Sequence, residues 1–305
     1  MGAKLTDRRP TAAGAPPDRA ATDWLRRAAW ASLLANIGIV VTGGVVRLTG
    51  SGLGCPTWPR CTDASFVPHQ AMGVHSAIEF GNRMLTFVVA AVAVTTFVLA
   101  WRHGRPAVLR LAFLLALGVP AQAVIGGVTV LTDLNPWVVS LHLLVSLAMV
   151  GLAVTLLRRL QEGDGVPRPV ASAEVVRLAR GMFALGWVVL YVGTVVTGSG
   201  PHAGDAQAPR NGLDPAALSQ AHADLVFVLV GLTVALAVVV HAGEAAAGVR
   251  RAVDLLLAVE VLQATVGLAQ TLTRLPEALV ALHLLGAALV AAALTWLLVS
   301  VRERA

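Results

Sequence analysis

Charged residues are scarce in this chain. Asp, Glu, Lys and Arg make up only 13% of its 305 residues, whereas 56% are hydrophobic and the mean hydropathy is +0.75. A single soluble core could not hide so many apolar side chains from water. Basic residues interleaved with aromatic ones, which nucleic-acid binding would require, are missing as well. We therefore expect a membrane protein with the lipid bilayer as a partner and no nucleic acid.

Eight apolar runs have about the length that crosses a bilayer. Roughly 20 helical residues cover about 30 Å of hydrocarbon. Long unbroken apolar runs favour helices, because lipid-facing barrel strands alternate apolar and polar residues. The predicted fold is an all-α polytopic membrane protein with eight transmembrane helices. The predicted spans are 28–47, 76–101, 109–131, 137–157, 178–197, 218–241, 251–272 and 276–300.

Basic residues are distributed unevenly between the two sets of predicted loops. Most of them belong to the termini and to alternate loops: Lys4, Arg8, Arg9, Arg19, Arg26, Arg27, Arg102, Arg105, Arg110, Arg158, Arg159, Arg168, Arg177, Arg180, Arg250, Arg251, Arg302 and Arg304. The opposite loops hold only Arg47, Arg60, Arg210 and Arg274. The positive-inside rule therefore predicts cytoplasmic N- and C-termini for a multi-pass protein of the cell (plasma) membrane.

Four segments follow one another along the chain. Residues 1–27 are rich in Pro, Ala, Gly and charge, and are expected to form a disordered cytoplasmic tail. Residues 28–158 hold the first four spans, 159–177 form a cytoplasmic linker, and 178–301 hold the last four spans. Because four is an even number, both halves enter the membrane from the same side. The prediction is two four-helix bundles that form a parallel repeat.

The two halves repeat a pattern of polar residues. Residues 121–144 align with 262–285 at an offset of 141. The aligned pairs are Gln122 with Gln263, Gly126 with Gly267, and His142 with His283, and an offset of 140 pairs Asn82 with His222. The paired side chains lie in the outer parts of their spans. Polar residues at matched depth in two apolar halves suggest two related cofactor sites.

The histidines point to an iron porphyrin. Polar side chains inside a membrane are costly and usually functional. His222 and His283 belong to alternate spans at similar depth, and two facing imidazoles in a helical bundle suit haem iron. Zinc would need three or four ligands at each site, and only two per half are available. His75 alone is explained equally well as a helix-end residue or as a functional one.

The loop after the first predicted span contains the only two cysteines. It reads TGSGLGCPTWPRC over residues 49–61, and it faces the oxidising side of the membrane, so Cys55 and Cys61 could form a disulfide. A structural staple and a redox-active pair are both open interpretations. The spacing differs from the CxxCH of covalent haem attachment.

These features together resemble haem A synthase, a family of the cytochrome oxidase assembly pathway. The resemblance spans about residues 28–300 and is carried by the duplicated eight-span plan, the GSGLGCPTWPRC loop, the IEFGNR stretch that opens span 2, and the histidines of spans 4, 6 and 8. It implies an enzyme that oxidises the C8 methyl of haem O to a formyl group. Haem b is the implied cofactor, in the C-terminal half, and the N-terminal half is the implied haem O site. Haem O synthase is a candidate partner, and a homo-oligomer is a candidate assembly.

The resemblance also implies roles for individual residues. His222 and His283 would ligate the haem b iron, and His142 would ligate iron in the substrate half. Glu79 matches the family's essential carboxylate and would accept a proton or hold a water near the methyl group. Arg83 could bind a haem propionate through a bidentate contact, although interfacial snorkelling explains it too. Cys55 and Cys61 match the family's outer-loop pair.

Asn82 departs from the family pattern. The usual motif in span 2 is Glu-x-x-His-Arg, and Asn82 occupies the histidine position. His75 lies two turns earlier on the same helix face and is one candidate replacement. The alternative is a five-coordinate substrate iron held by His142. In the second outer loop, which has no cysteines, we expect His202 and Asp205 to be solvated.

Two other function classes remain open at this level. A cytochrome b-like electron-transfer protein would also use paired histidines, but would not need Glu79 or the cysteine loop. A transporter built from a parallel repeat would use the histidines as proton relays.

Overall fold

The computed structural model describes residues 19–69 and 73–305, and within them it contains eight α-helices. They are α1 (Arg19–Leu48), α2 (Gly73–His103), α3 (Pro106–Leu131), α4 (Pro136–Gln161), α5 (Ala173–Ser199), α6 (Pro215–Ala242), α7 (Ala247–Leu272) and α8 (Glu277–Ser300). Each is long and apolar enough to cross a membrane. The predicted class, an all-α polytopic membrane protein with eight spans, is confirmed.

The first helix begins earlier than the sequence predicts. The expectation of a disordered tail is wrong for residues 19–27, which form the first turns of α1, and residues 1–18 lie outside the described part of the chain. Leu25 and Ala29 are fully buried in a cluster that includes Val108 and Leu156. Packing of this apolar stripe stabilises the helix more than the local sequence alone would.

The linker between the halves is short and tied down. The helices occupy part of the predicted linker, so only residues 162–172 connect α4 with α5. Within the connection, β1 (Arg168–Pro169) pairs antiparallel with β2 (Arg302–Glu303) near the C-terminus. Asp164 forms ion pairs with Arg105 and Arg159. The hydrogen bond from the Arg105 guanidinium holds the pKa of the Asp164 carboxyl below its usual value.

Helices α1, α4, α5 and α8 form the centre of the molecule. Contacts join α4 to α1, α5 and α8, and α8 also contacts α1 and α5, whereas α2, α3, α6 and α7 pack outside them. Val40, Leu147, Leu190 and Ala288 form a buried cluster that takes one residue from each central helix. The halves are therefore joined by an apolar core. Their relation as two parallel-repeat bundles stays a prediction from the sequence.

One repeated local structure supports that prediction. The turns α3–α4 and α7–α8 each contain two consecutive residues with positive φ: Asp133 and Leu134 in the first turn, Arg274 and Leu275 in the second. Their φ values lie between 50° and 63°, a conformation that leucine rarely adopts. The amides of Leu134 and Leu275 donate to carbonyls five residues earlier, at 2.8 and 2.7 Å. Both turns place the following helix in the same way.

Candidate functional site

A disulfide closes the loop between α1 and α2. Cys55 and Cys61 are joined with an S–S distance of 2.03 Å, and both are fully buried. The predicted pairing is confirmed. Following the predicted orientation, we call the face that carries this loop the outer face. The loop from residue 49 to 69 is called the disulfide loop.

Glu79 fastens the disulfide loop to α2. Its side chain is buried, with 5% of the residue exposed. The Cys55 amide donates to Oε2 at 2.6 Å, while Arg83 donates to Oε1 from Nε at 3.1 Å and from Nη2 at 2.5 Å. Both carboxylate oxygens are therefore engaged by the loop or by the arginine one turn away.

The Arg83 guanidinium extends the same contact. It donates to the backbone carbonyls of Cys55, Thr57 and Arg60 as well as to Glu79. The spacing of four residues places the acid and the base on one face of α2. Arg83 therefore acts on the loop in this structure, and its expected contact with a haem propionate stays a prediction.

His75 contacts the disulfide loop and does not point into the helix bundle. It is exposed at the start of α2, and its Nδ1 lies 3.0 Å from Ser51 Oγ. Seven residues separate it from Asn82, which is about 10 Å along a helix axis. The structure does not bring His75 to the depth of Asn82.

Four side chains at the repeated positions each lie against a glycine of a neighbouring helix. The pairs are His142 with Gly126, His283 with Gly267, His222 with Gly193, and Asn82 with Gly43. A Cβ added to the glycine would lie 3.0–3.2 Å from the ring Cε1 in the three histidine pairs, and 3.9 Å from Nδ2 in the asparagine pair. The absence of a glycine side chain lets the three imidazole rings sit close to the next helix, whereas Asn82 would tolerate a side chain at residue 43. We call these four places the glycine seats.

Glutamines hold two of the seats in the same way. Gln122 Nε2 donates to the His142 carbonyl at 3.1 Å, and Gln263 Nε2 donates to the His283 carbonyl at 2.8 Å. Gln122 also donates to the Ser146 hydroxyl. The bonds join α3 to α4 and α7 to α8 at matched positions. The sequence repeat is thus repeated in side-chain contacts.

Three of the seats contain a buried imidazole ring with one unpaired nitrogen. The Nδ1 atoms of His142, His222 and His283 are buried and form no hydrogen bond with any described residue, although the Val189 backbone lies near the His222 ring. His222 and His283 are close enough to interact electrostatically, whereas His142 has no imidazole neighbour of this kind. Within the described ranges no three His, Cys, Asp or Glu residues converge as a metal ion would require. Paired imidazoles without further ligands suit a haem iron, whose porphyrin supplies the other donors.

Comparison with known proteins identifies the family of the chain. A family model described as cytochrome oxidase assembly protein, COX15-CtaA, matches residues 26–295. The chain belongs to this family. The match includes all the glycine seats, the disulfide loop and Glu79.

Individual members of the family are moderately similar to the chain. Heme A synthase of Lysinibacillus sphaericus is 35% identical over 125 residues, which are 39% of this chain and 40% of the relative. Heme A synthase of Geobacillus kaustophilus is 33% identical over 106 residues, 34% and 32% of the two chains. Heme A synthase of Bacillus pumilus is 28% identical over 167 residues, 52% and 53%. The chain spans about a third to a half of the length of these relatives.

A relative with another name also matches. Protoheme IX farnesyltransferase of Halobacterium salinarum is 33% identical over 95 residues, which are 31% of this chain and 21% of the relative.

Among the described residues the chain has a second buried carboxyl group, which the sequence analysis missed. Glu260 lies in the middle of α7 with 4% of the residue exposed. Its Oε1 is 3.1 Å from the Thr233 hydroxyl, which also bonds to the Leu229 carbonyl at 3.0 Å. Its Oε2 is buried and has no hydrogen-bond partner among the described residues. The signal was present, since a carboxylate inside an apolar span is rare and usually functional.

The second outer loop is also less solvated than expected. The expectation is wrong for His202, whose Nε2 lies 3.0 Å from the Leu275 carbonyl in the α7–α8 turn. Arg47 at the end of α1 donates to the His202 carbonyl at 2.6 Å and so ties the two halves together at the outer face. Asp205 accepts a hydrogen bond from the Gln207 amide and orders its own loop.

Proposed function

We propose that this protein is a haem A synthase, which oxidises the C8 methyl group of haem O to a formyl group. The observation that carries the proposal is the family match over residues 26–295, together with relatives that are named heme A synthase. The arrangement of the site supports it, because the polar residues fall into two sets that suit two different tasks.

The C-terminal half would hold haem b. His222 and His283 are the residues that would ligate its iron, since they are close enough to interact electrostatically and occupy two of the glycine seats. Gly193 and Gly267 leave room beside the rings. A bis-His haem supplies one-electron transfer without an open coordination position. The role of this half would be to pass electrons.

The N-terminal half would hold haem O as the substrate, with His142 on its iron. Two successive hydroxylations of the methyl group give a gem-diol, which loses water to leave the aldehyde. With water as the oxygen source, each hydroxylation would replace a C–H bond by a C–OH bond and release two electrons and two protons. The electrons would leave through the C-terminal half, and the protons would need an acceptor that is shielded from bulk water. Glu79 is the buried carboxylate on this side, and the disulfide loop covers it. The loop and Arg83 would hold that carboxylate in place.

The surroundings of the site fit the same proposal. The protein would lie in the cell membrane with both termini in the cytoplasm, as the distribution of arginine predicts. A haem O synthase would supply the substrate. A relative named protoheme IX farnesyltransferase supports this context, because haem O is a farnesylated haem.

Co-expression with a haem O synthase tests the activity directly. Haems extracted from the membranes are separated by chromatography, with and without the synthase. We expect haem A only when haem O is supplied. The Glu79→Gln variant is expected to keep haem b and to make no haem A.

The outcomes distinguish the competing functions. Haem bands in the reduced-minus-oxidised spectrum without conversion of haem O would mean an electron-transfer protein. Absence of any haem from the purified protein would mean a transporter. Either result would overturn the proposed activity.

A further inference from the structure

Asn82 breaks a pattern that the rest of the molecule keeps. Three of the four glycine seats hold an imidazole, and the fourth holds the carboxamide of Asn82 against Gly43. The Asn82 Oδ1 is buried and has no hydrogen-bond partner among the described residues. Leaving a buried polar atom unpaired costs about 1–3 kcal/mol. The Asn82 carboxamide oxygen is therefore free to accept a hydrogen bond from a group bound beside it.

No other imidazole replaces the missing one. His75 is at the outer end of α2, exposed and bonded to Ser51. His103 lies at the opposite end of the same helix, 21 residues from Asn82, which is about 30 Å along the axis. His142 is left without an imidazole partner, in contrast to His283, which interacts with His222. The two halves therefore offer unequal numbers of nitrogen ligands.

A carboxamide is a poor iron ligand but a good hydrogen-bonding group. Its oxygen accepts and its NH₂ group donates, so it can bind water or a small polar diatomic molecule equally well. The matched positions of the other half are both filled by imidazole, which leaves no space for such a ligand. The N-terminal half would thus leave one coordination position of a bound haem iron open, whereas the C-terminal half would fill both.

We propose that, with haem bound in the N-terminal half, His142 would be the sole protein ligand of the substrate iron, and that the coordination position which the sequence repeat assigns to residue 82 would bind a small neutral ligand of the water or diatomic class. The proposal rests on the proposed function, since it requires a haem in this half. Asn82 then positions that ligand through a hydrogen bond. The C-terminal half, with both positions closed, transfers electrons and binds no such ligand.

Carbon monoxide is a suitable probe of the open position. The full-length protein is purified with haem in both halves and reduced, and carbon monoxide binding is followed by optical difference and infrared spectroscopy. We expect one of the two haems to bind carbon monoxide. Asn82→His should abolish the binding by supplying the missing imidazole. Asn82→Leu should keep the binding but shift the carbon monoxide stretching band, because the polar neighbour is gone.

Two matched variants complete the design. His222→Ala opens a position in the other half and should add a second carbon monoxide site, which proves that the measurement can detect one. His75→Ala should have the same carbon monoxide spectrum as the wild-type protein. Carbon monoxide binding that appears only in His75→Ala would show that His75 is the second ligand and would overturn the inference.

Failure of the inference can be told from failure of the proposed function. A wild-type protein that makes haem A but binds no carbon monoxide refutes the open position and leaves the activity standing. A protein that binds carbon monoxide at one haem but makes no haem A supports the open position and refutes the activity.

Discussion

Replacing Glu79 by glutamine should loosen the disulfide loop by a calculable amount. The carboxylate accepts from the Cys55 amide through one oxygen and from Arg83 through the other. Glutamine keeps one acceptor oxygen and puts an NH₂ donor in place of the second. Either the Cys55 amide or the Arg83 guanidinium, both of which are donors, must then face the NH₂ donor of the glutamine.

The magnitude follows from the type of bond that is lost. A hydrogen bond to a charged group contributes about 1.5–3 kcal/mol, and breaking a buried ion pair costs about 3–5 kcal/mol. Since Arg83 is partly exposed and keeps its bonds to loop carbonyls, we take about 3 kcal/mol for the loss in opening free energy. At about 1.4 kcal/mol for each factor of ten, the open form of the loop becomes about 100-fold more populated.

Reduction of the disulfide measures this opening. Cys55 and Cys61 are fully buried, so a water-soluble reductant can reach them only when the loop opens. At low reductant concentration the rate follows the population of the open form. The free thiols are alkylated and counted by mass spectrometry over time. We expect reduction about 100-fold faster in Glu79→Gln than in the wild-type protein.

Glu260→Gln is the matched control. It makes the same chemical change at a similarly buried carboxyl group, but on α7, away from the loop. Its reduction rate should equal that of the wild-type protein. Equal rates in the wild-type protein and Glu79→Gln would refute the claim that Glu79 fastens the loop. Equal acceleration in both variants would show general destabilisation instead.

Three further predictions concern the C-terminal half and the linker. His222→Ala and His283→Ala should each abolish the low-spin bis-His spectrum of haem b, and an unchanged spectrum in both would rule out the pairing. Gly267→Leu should displace the His283 ring and lower the haem b content of the purified protein, whereas Gly181→Leu, at a position with open space around it, should not. The Asp164 carboxyl, whose pKa is lowered in the folded protein, should stabilise the linker above its unfolded pKa of about 3.9, and this contribution should fade as the pH falls through the lower folded value. Hydrogen exchange of the linker amides between neutral and acidic pH measures it, and no change in protection would count against the ion pair.

The membrane spans could be predicted from the sequence, because the hydropathy of a segment directly indicates whether it lies in lipid or in water. The start of α1 could not, since the arginines around it resemble a polar tail. Asp23 and Arg26 form an exposed ion pair on one side of the helix, while Leu25 and Ala29 pack into the core on the other. The amino-acid composition of this segment is an average over the exposed and buried faces of the helix. Only tertiary packing shows which residues belong to each face.

The site divides in the same way. The cysteine pair was predictable, because few residue types form a disulfide, whereas the roles of the histidines stay predictions. The contact between Glu79 and the Cys55 amide spans 24 residues and depends on how the loop folds over α2, which no local pattern encodes. The contact of His202 with the Leu275 carbonyl involves a turn with positive φ. The identity of these two residues does not predict such a turn.

The asymmetry between the halves bears on which of them performs the oxidation. At an offset of 140, the positions of Glu79 and Arg83 correspond to Ser219 and Ala223, which can form neither an ion pair nor a proton-accepting carboxylate. The C-terminal half therefore keeps the seats for two imidazoles but lacks, at the matched positions, the acid and base that hold the disulfide loop. Its buried carboxyl group, Glu260, lies elsewhere, on α7. The N-terminal half has these groups and lacks one imidazole. If both halves did the same chemistry, moving the Glu and Arg side chains from one half to the other would change the activity little. We therefore expect that placing Glu and Arg at 219 and 223 leaves the proposed oxidation dependent on Glu79, because two imidazole ligands in the C-terminal half would exclude a reacting ligand.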